Sequence, residues 1–213
     1  MKAILRFVAE GVRIVLRGNA VYYAWMLFLL ICLVQGALAY STQWTDGLVV
    51  TNMHDSVSWG FYIANFTFLV GVAAAAVMLV IPAYIYNWKP IKEVAIFGEL
   101  LAIAAVIMCL LFVLVDMGHP ERLWHLIPML GKPNFPSSLL AWDALVLNGY
   151  LLVNVIVVVY LLFCAFQGRA YNKRFVATLV ILSIPMAVGI HTVTAFLYNG
   201  MSSRPYWNSA ILA

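Results

Sequence analysis

The chain has 213 residues, of which 65% are hydrophobic and 9% charged, with a formal net charge of +4 and a mean hydropathy of +0.99. A soluble globular domain carries about 25% charged residues, and a core of this size has no room for so much apolar surface, so lipid is the solvent that fits. The positive charges sit between apolar runs, which argues for membrane topology and against nucleic acid as a partner.

In chain order, the apolar runs predict five membrane spans, at about 19–39, 58–86, 93–116, 138–166 and 175–198. Each reaches the ~20 residues needed to cross a hydrocarbon core. The fold class is therefore an all-α membrane protein, a polytopic transmembrane helix bundle. The first run lacks a small-residue cleavage site and is read as a span, not a signal peptide. In span two, "GVAAAAVM" offers a small-residue face for close helix packing. Pro82 and Pro185 fall inside spans two and five and predict kinks there. Cys32, Cys109 and Cys164 stand singly in apolar runs, a pattern of small buried hydrophobes without ligand spacing for zinc or an iron–sulfur cluster.

Orientation follows from Lys and Arg. Lys2, Arg6, Arg13, Arg17, Lys89, Lys92, Arg169, Lys173 and Arg174 fall on one side, and only Arg122, Lys132 and Arg204 on the other. The positive-inside rule then puts the N-terminus in the cytoplasm and the 116–138 loop outside. The cell (inner) membrane, crossed several times, is the expected location. An odd number of spans and an apolar finish suggest the N-terminal part of a longer protein, with a re-entrant or interfacial tail as the alternative.

Polar residues are rare enough for their depth to matter. Asp116 closes span three, Asp143 lies about 8 Å into span four, and His191 about 24 Å along span five, by a rise of 1.5 Å per residue. His54, Trp59, Tyr62 and Asn65 open span two. All fall in the outer half of one bundle, where ionisable groups cost at least ~2.5 kcal/mol and usually mark a site or a pathway. Asp116 is expected to pair with Arg122 across a Gly118–Pro120 corner, either as a structural tie or as a gate. "RLWHLIPML" then reads as a short amphipathic surface helix. His191 is expected beside Asp143. Trp59 and Tyr62 also fit interfacial anchors, and Glu99 fits either a proton inlet or a snorkelling carboxylate.

An apolar pocket with an acid, a histidine, an asparagine and aromatic rings suits a flat, lipophilic molecule that exchanges protons, such as a quinone. No phosphate loop, nucleophile motif or facing pair of histidines for haem is seen. The alternatives are a secondary transporter or ion channel, whose sites usually lie nearer the midplane between repeats, and a passive membrane anchor.

The Trp59-Gly-x-Tyr62 opening with its small-residue run, Asp116-x-Gly-His119-Pro-x-Arg122, "SIPMAVGIHTVTAFLY" and "RPYWNSAILA" together resemble the NrfD/PsrC family of membrane quinone subunits, nearest its DsrP and HmcC branches. The resemblance implies eight to ten spans in the whole protein, and no haem or iron–sulfur cluster in this chain. It also implies electron exchange between menaquinol/menaquinone and an extracytoplasmic, ferredoxin-like iron–sulfur subunit. Other membrane and cytochrome subunits would complete a sulfur-metabolism complex. Carried over by position, His54, Trp59, Tyr62, Asn65 and Asp143 line the quinone site with His191 nearby, and Asp116, His119 and Arg122 form a proton-handling corner. Where many relatives carry an acid six residues after the span-five histidine, this chain has Leu197, and His54 matches only loosely.

Overall fold

The computed structural model describes residues 2–54, 57, 59–127, 130–201 and 207. Arg204, most of "RPYWNSAILA", and Pro128 and Met129 of the expected surface helix lie outside these residues. The described residues form six α-helices: α1 (Lys2–Val15), α2 (Ala20–Asp46), α3 (Phe61–Val80), α4 (Lys89–Asp116), α5 (Leu139–Phe166) and α6 (Lys173–Asn199). Five are long and apolar enough to cross a membrane, α3 counting with the turn that extends it to Ile85. The protein is a multi-pass membrane protein.

Local chemistry sets the helix ends. The Asn19, Ser138 and Asn172 side chains accept from the first free N–H groups of α2, α5 and α6, as polar N-caps do. Pro90 occupies the first turn of α4, where its missing donor costs nothing. α2 runs on past the expected boundary at 39 to Asp46, and its polar last turns keep their side chains satisfied, with Ser41, Thr42 and Thr45 hydroxyls on carbonyls of the preceding turn. Gly47, at φ 82, then ends it.

Pro82 does not simply kink span two. Residues Ile81–Ile85 form a π-helical turn, closed by the Tyr86 N–H on the Ile81 carbonyl at 3.4 Å. The wider turn absorbs the hydrogen bond that proline cannot make. Pro185, by contrast, sits inside a helix that continues unbroken from Lys173 to Asn199.

Helices α3 to α6 close a four-helix ring, α3 on α4, α4 on α5, α5 on α6 and α6 back on α3. Its core joins Ala73 and Ala76 of α3, Ala102, Ala105 and Cys109 of α4, Leu147 and Tyr150 of α5, and Ala187 and Ile190 of α6. The small-residue run thus brings α3 and α4 close, as expected. Gly98 belongs to the same contact: a Cβ there would meet Leu79 Cδ1 at 2.9 Å. Cys109 and Cys164 are buried free thiols and Cys32 is exposed.

Helix α2 stands outside the ring, and Gln43 is its one buried residue. The ring has two ends. At the first, called the His119 end, α2, α4 and α6 finish and α3 and α5 begin. At the other, the Lys92 end, the directions reverse. α1 belongs to the Lys92 end through Phe7, whose ring meets Phe163 and Phe166 at 5.5 and 5.6 Å.

Candidate functional site

Asp143, in the second turn of α5, is the deepest acid at the His119 end, 2% exposed. Its partner is Thr194 of α6, whose Oγ1 donates to Asp143 Oδ1 at 3.1 Å. Thr178 and Thr192 on the same helix spend their hydroxyl protons on carbonyls four residues back. Thr194 spends its proton across the bundle.

One turn further along α6, Tyr198 hydrogen-bonds to Thr67 of α3. Thr67 Oγ1 also donates to the Ile63 carbonyl at 2.8 Å. A hydroxyl has one proton, so the Tyr198 phenol is the donor in the pair and keeps lone pairs free. Tyr198 also lies within electrostatic reach of Asp143 and Asp116.

Beside that phenol opens a cavity of about 390 Å³, lined by Trp59, Gly60, Ile63, Ala64, Thr67, Tyr198 and Trp207. The rings of Trp59 and Trp207 stand 5.5 and 5.3 Å from that of Tyr198. The cavity is thus an aromatic slot with the hydroxyls of Thr67 and Tyr198 in its wall. A wider recess of about 670 Å³ at the Lys92 end, around Pro82, Tyr86, Trp88 and Lys89, is a shallow surface feature with no buried polar side chain among its walls.

Tyr62 and Asn65 begin α3 but turn away from this slot. The Tyr62 hydroxyl donates to Gln43 Oε1 at 2.8 Å, and Gln43 Nε2 donates to the Val115 carbonyl at 2.6 Å. That carbonyl is one of the orphan acceptors at the end of α4. Gln43 therefore fastens α2 to both α3 and α4. Asn65 Nδ2 returns to the Phe61 carbonyl of its own helix at 2.8 Å. Exchanging Gln43 for leucine leaves the Val115 carbonyl and the Tyr62 phenol unpaired and lowers stability by about 1–3 kcal/mol. Thermal unfolding in detergent, compared with wild type, reads that loss.

The remaining expected residues are placed as follows. His54 is exposed in the loop before α3, its backbone bridged to Val57. His191 is exposed, one step round α6 from the buried stripe Ala187, Ile190, Thr194 and Tyr198. It is not beside Asp143: the helical phase gives that seat to Thr194.

The expected Asp116–Arg122 tie does not form either. Asp116 Oδ1 is buried without a hydrogen-bond partner, while Arg122 is exposed. After Asp116 the chain runs extended through Met117, and Pro120–Leu126 winds as a 3-10 helix, not an amphipathic α-helix. Its tighter turn carries Arg122 outward. At this corner His119 Nδ1 and Glu121 Oε1 stand at hydrogen-bond distance, 2.9 Å, both exposed. A backbone hydrogen bond, and then His119 beside it, hold the Glu121 carboxyl below its ordinary range.

Thr194, Thr67, Tyr198 and Gln43 are functional candidates that sequence reasoning missed. A trace of them is present: Thr194 and Tyr198 are four residues apart, on the face that buries Ile190. Glu99 is a second surprise. It is 1% exposed and its Oε2 is unpartnered, about 15 Å into α4 from Lys89, so it does not snorkel to an interface.

The model of the family described as polysulphide reductase, NrfD, matches residues 49–213. Three curated relatives are each 26% identical. One is a subunit of the selenate reductase of Mesobacillus selenatarsenatis, matched over 83% of this chain and 48% of the relative. The second is a membrane subunit of a putative dimethyl sulfoxide reductase of Halobacterium salinarum, over 89% and 46%. The third is the integral membrane subunit of an Hdr-like menaquinol oxidoreductase of Archaeoglobus fulgidus, over 92% and 47%. The chain spans about half the length of the curated relatives it matches. A match over more than half of the chain, on a bundle of five apolar helices, makes this protein a member of the polysulphide reductase NrfD family.

Proposed function

We propose that the chain is the quinone-reacting part of a membrane subunit in a redox complex. It exchanges electrons between menaquinol/menaquinone in the bilayer and an iron–sulfur partner docked at the His119 end. The observation that carries this reading is the aromatic slot with the Tyr198–Thr67 pair on its wall and the Thr194–Asp143 pair one turn deeper. The slot falls within the 300–1,000 Å³ usual for small-molecule sites.

The names of the relatives support the reading: two are subunits of reductases, and one is a menaquinol oxidoreductase subunit. Those names span selenate and dimethyl sulfoxide, so the terminal substrate belongs to partner subunits. A place in sulfite or sulfate metabolism rests on the resemblance to the DsrP branch. With nine of the twelve Lys and Arg residues at the Lys92 end, the positive-inside rule makes the His119 end extracytoplasmic, where the partner docks.

Oxidation of a hydroquinone releases two electrons and two protons. The electrons leave to the iron–sulfur partner. The lone pairs of Tyr198 accept the hydroquinone O–H and orient it, and Trp59 and Trp207 hold the ring. Asp143, held by the Thr194 hydroxyl one turn from Tyr198 along α6, is the base of this reading, and Asp116, whose Oδ1 has no hydrogen-bond partner, is the next acceptor toward the surface.

The test is photolabelling of the complex with an azido-menaquinone analogue followed by peptide mapping. Label on the start of α3 and the end of α6, competed by menaquinol, is the expected result. Label confined to the Lys92 end, or none that menaquinol competes away, overturns it.

A further inference from the structure

Helix α1 has a construction that the redox reading does not use. Arg6 and Arg13 fall on one side of Lys2–Val15 with Lys2 and Glu10, and Arg17 continues the line just beyond. At 3.6 residues per turn the four on the helix, Lys2, Arg6, Glu10 and Arg13, occupy a stripe of only about 80° of the circumference. Everything else on the helix is apolar or glycine. Val8, Val12 and Val15 lie roughly opposite the stripe and are 54%, 53% and 62% exposed.

Phe7 points about a quarter-turn from both faces, and it is the side chain that docks, against Phe163 and Phe166 at the end of α5. At its other end α1 is held to the foot of α2. The Tyr22 and Tyr23 hydroxyls donate to the Val15 and Leu16 carbonyls at 2.6 and 2.9 Å. The Tyr22 ring fills the space where a Cβ on Gly18 would stand.

α1 thus reaches from the foot of α2 to the foot of α5, with roughly 12 Å of helix between Val15 and Phe7. A helix tied to two span ends on one side runs along the membrane, not through it. Held that way by Phe7, it turns a valine face to one side and a cationic stripe to the other.

We propose that α1 is an interfacial helix that binds the anionic phospholipid surface of the leaflet at the Lys92 end. The valine face enters the acyl boundary, and Lys2, Arg6, Arg13 and Arg17 engage anionic headgroups. The charge argues for lipid as the occupant: four cations against the single carboxylate of Glu10, itself paired with Arg13 at 3.7 Å, beside a valine face that the described residues leave exposed.

The test uses the full chain, with Cys32→Ser, reconstituted in vesicles of phosphatidylcholine alone or with roughly one-third phosphatidylglycerol. Spin labels are placed at Val8→Cys and, separately, Glu10→Cys. Their relaxation by oxygen and by a water-soluble nickel chelate is compared. In anionic vesicles the oxygen-to-chelate ratio is expected to be about tenfold higher at position 8 than at position 10. In neutral vesicles, or with Arg6→Gln and Arg13→Gln together, the ratio at position 8 falls several-fold. Equal chelate access at both positions puts α1 in water and overturns the proposal. Exclusion of both reagents from position 8 overturns it in favour of a covering protein. A ratio indifferent to lipid charge and to the arginine variants overturns the headgroup recognition.

Discussion

Exchanging Asp143 for asparagine lowers quinol-dependent turnover of the assembled complex by about 10²-fold or more, the size of effect a positioned base contributes. The fold should survive. Asparagine has the shape of aspartate and keeps an Oδ1 to accept the Thr194 hydroxyl, so the α5–α6 contact at 3.1 Å stays satisfied. Only the ability to take a proton is lost. Thr194→Val is the companion variant, since it removes the hydroxyl that donates to Asp143 and leaves that carboxylate without its partner on α6. Turnover is read on complex whose iron–sulfur partner co-purifies, so that a failure to assemble is not mistaken for slow chemistry. If Asp143→Asn assembles and turns over like wild type, the buried acid has no part in the redox reaction. The passive-anchor reading then gains what the quinone reading loses.

The spans are legible because lipid imposes a crude requirement of twenty or so apolar residues in a row, and α2 to α6 meet it. What a residue faces is a finer matter. In a span apolar all round, the buried stripe leaves little periodic signal, so the four-residue spacing of Thr194 and Tyr198 is too faint a trace to set Thr194 above His191. One step of helical phase decides between them, and the packing of Ile190 and Ala187 fixes that phase. Rarity draws attention to the histidines, but His54, His119 and His191 are all exposed.

The corner after α4 departs from expectation for a related reason. Asp116 and Arg122 are complementary charges at a reachable separation, yet the chain direction set by extended Met117 and the 3-10 turn from Pro120 separates them. Coulomb attraction near water is worth too little to override such a backbone path. Gln43 escapes notice because the apolar run of span one ends before it. The amphipathic pattern of α1 is readable throughout, in the spacing of Lys2, Arg6, Arg13 and Arg17, but the same residues also set topology, and that role hides the stripe.

Exchanging Tyr198 for phenylalanine separates binding from chemistry at the same site. The ring stays, so the aromatic slot with Trp59 and Trp207 keeps its shape. The hydroxyl goes, and Thr67 loses the donor across the α3–α6 contact, while its own proton remains on the Ile63 carbonyl. Thr67 Oγ1 is thus left short of a donor, not stranded with an unused proton, and the fold should hold. At the slot, a hydroquinone O–H that had the phenol oxygen as acceptor now has none. Leaving one such group unpaired costs about 1–3 kcal/mol, which is roughly 5- to 150-fold in kcat/KM. If the phenol only positions the quinol, most of that loss appears in KM, and the Asp143 effect appears in kcat. Should Tyr198→Phe reduce kcat as steeply as Asp143→Asn, the phenol lies on the proton route itself, and the order of transfer runs from Tyr198 inward to Asp143. A variant with unaltered kcat and KM would remove the slot from the quinone path.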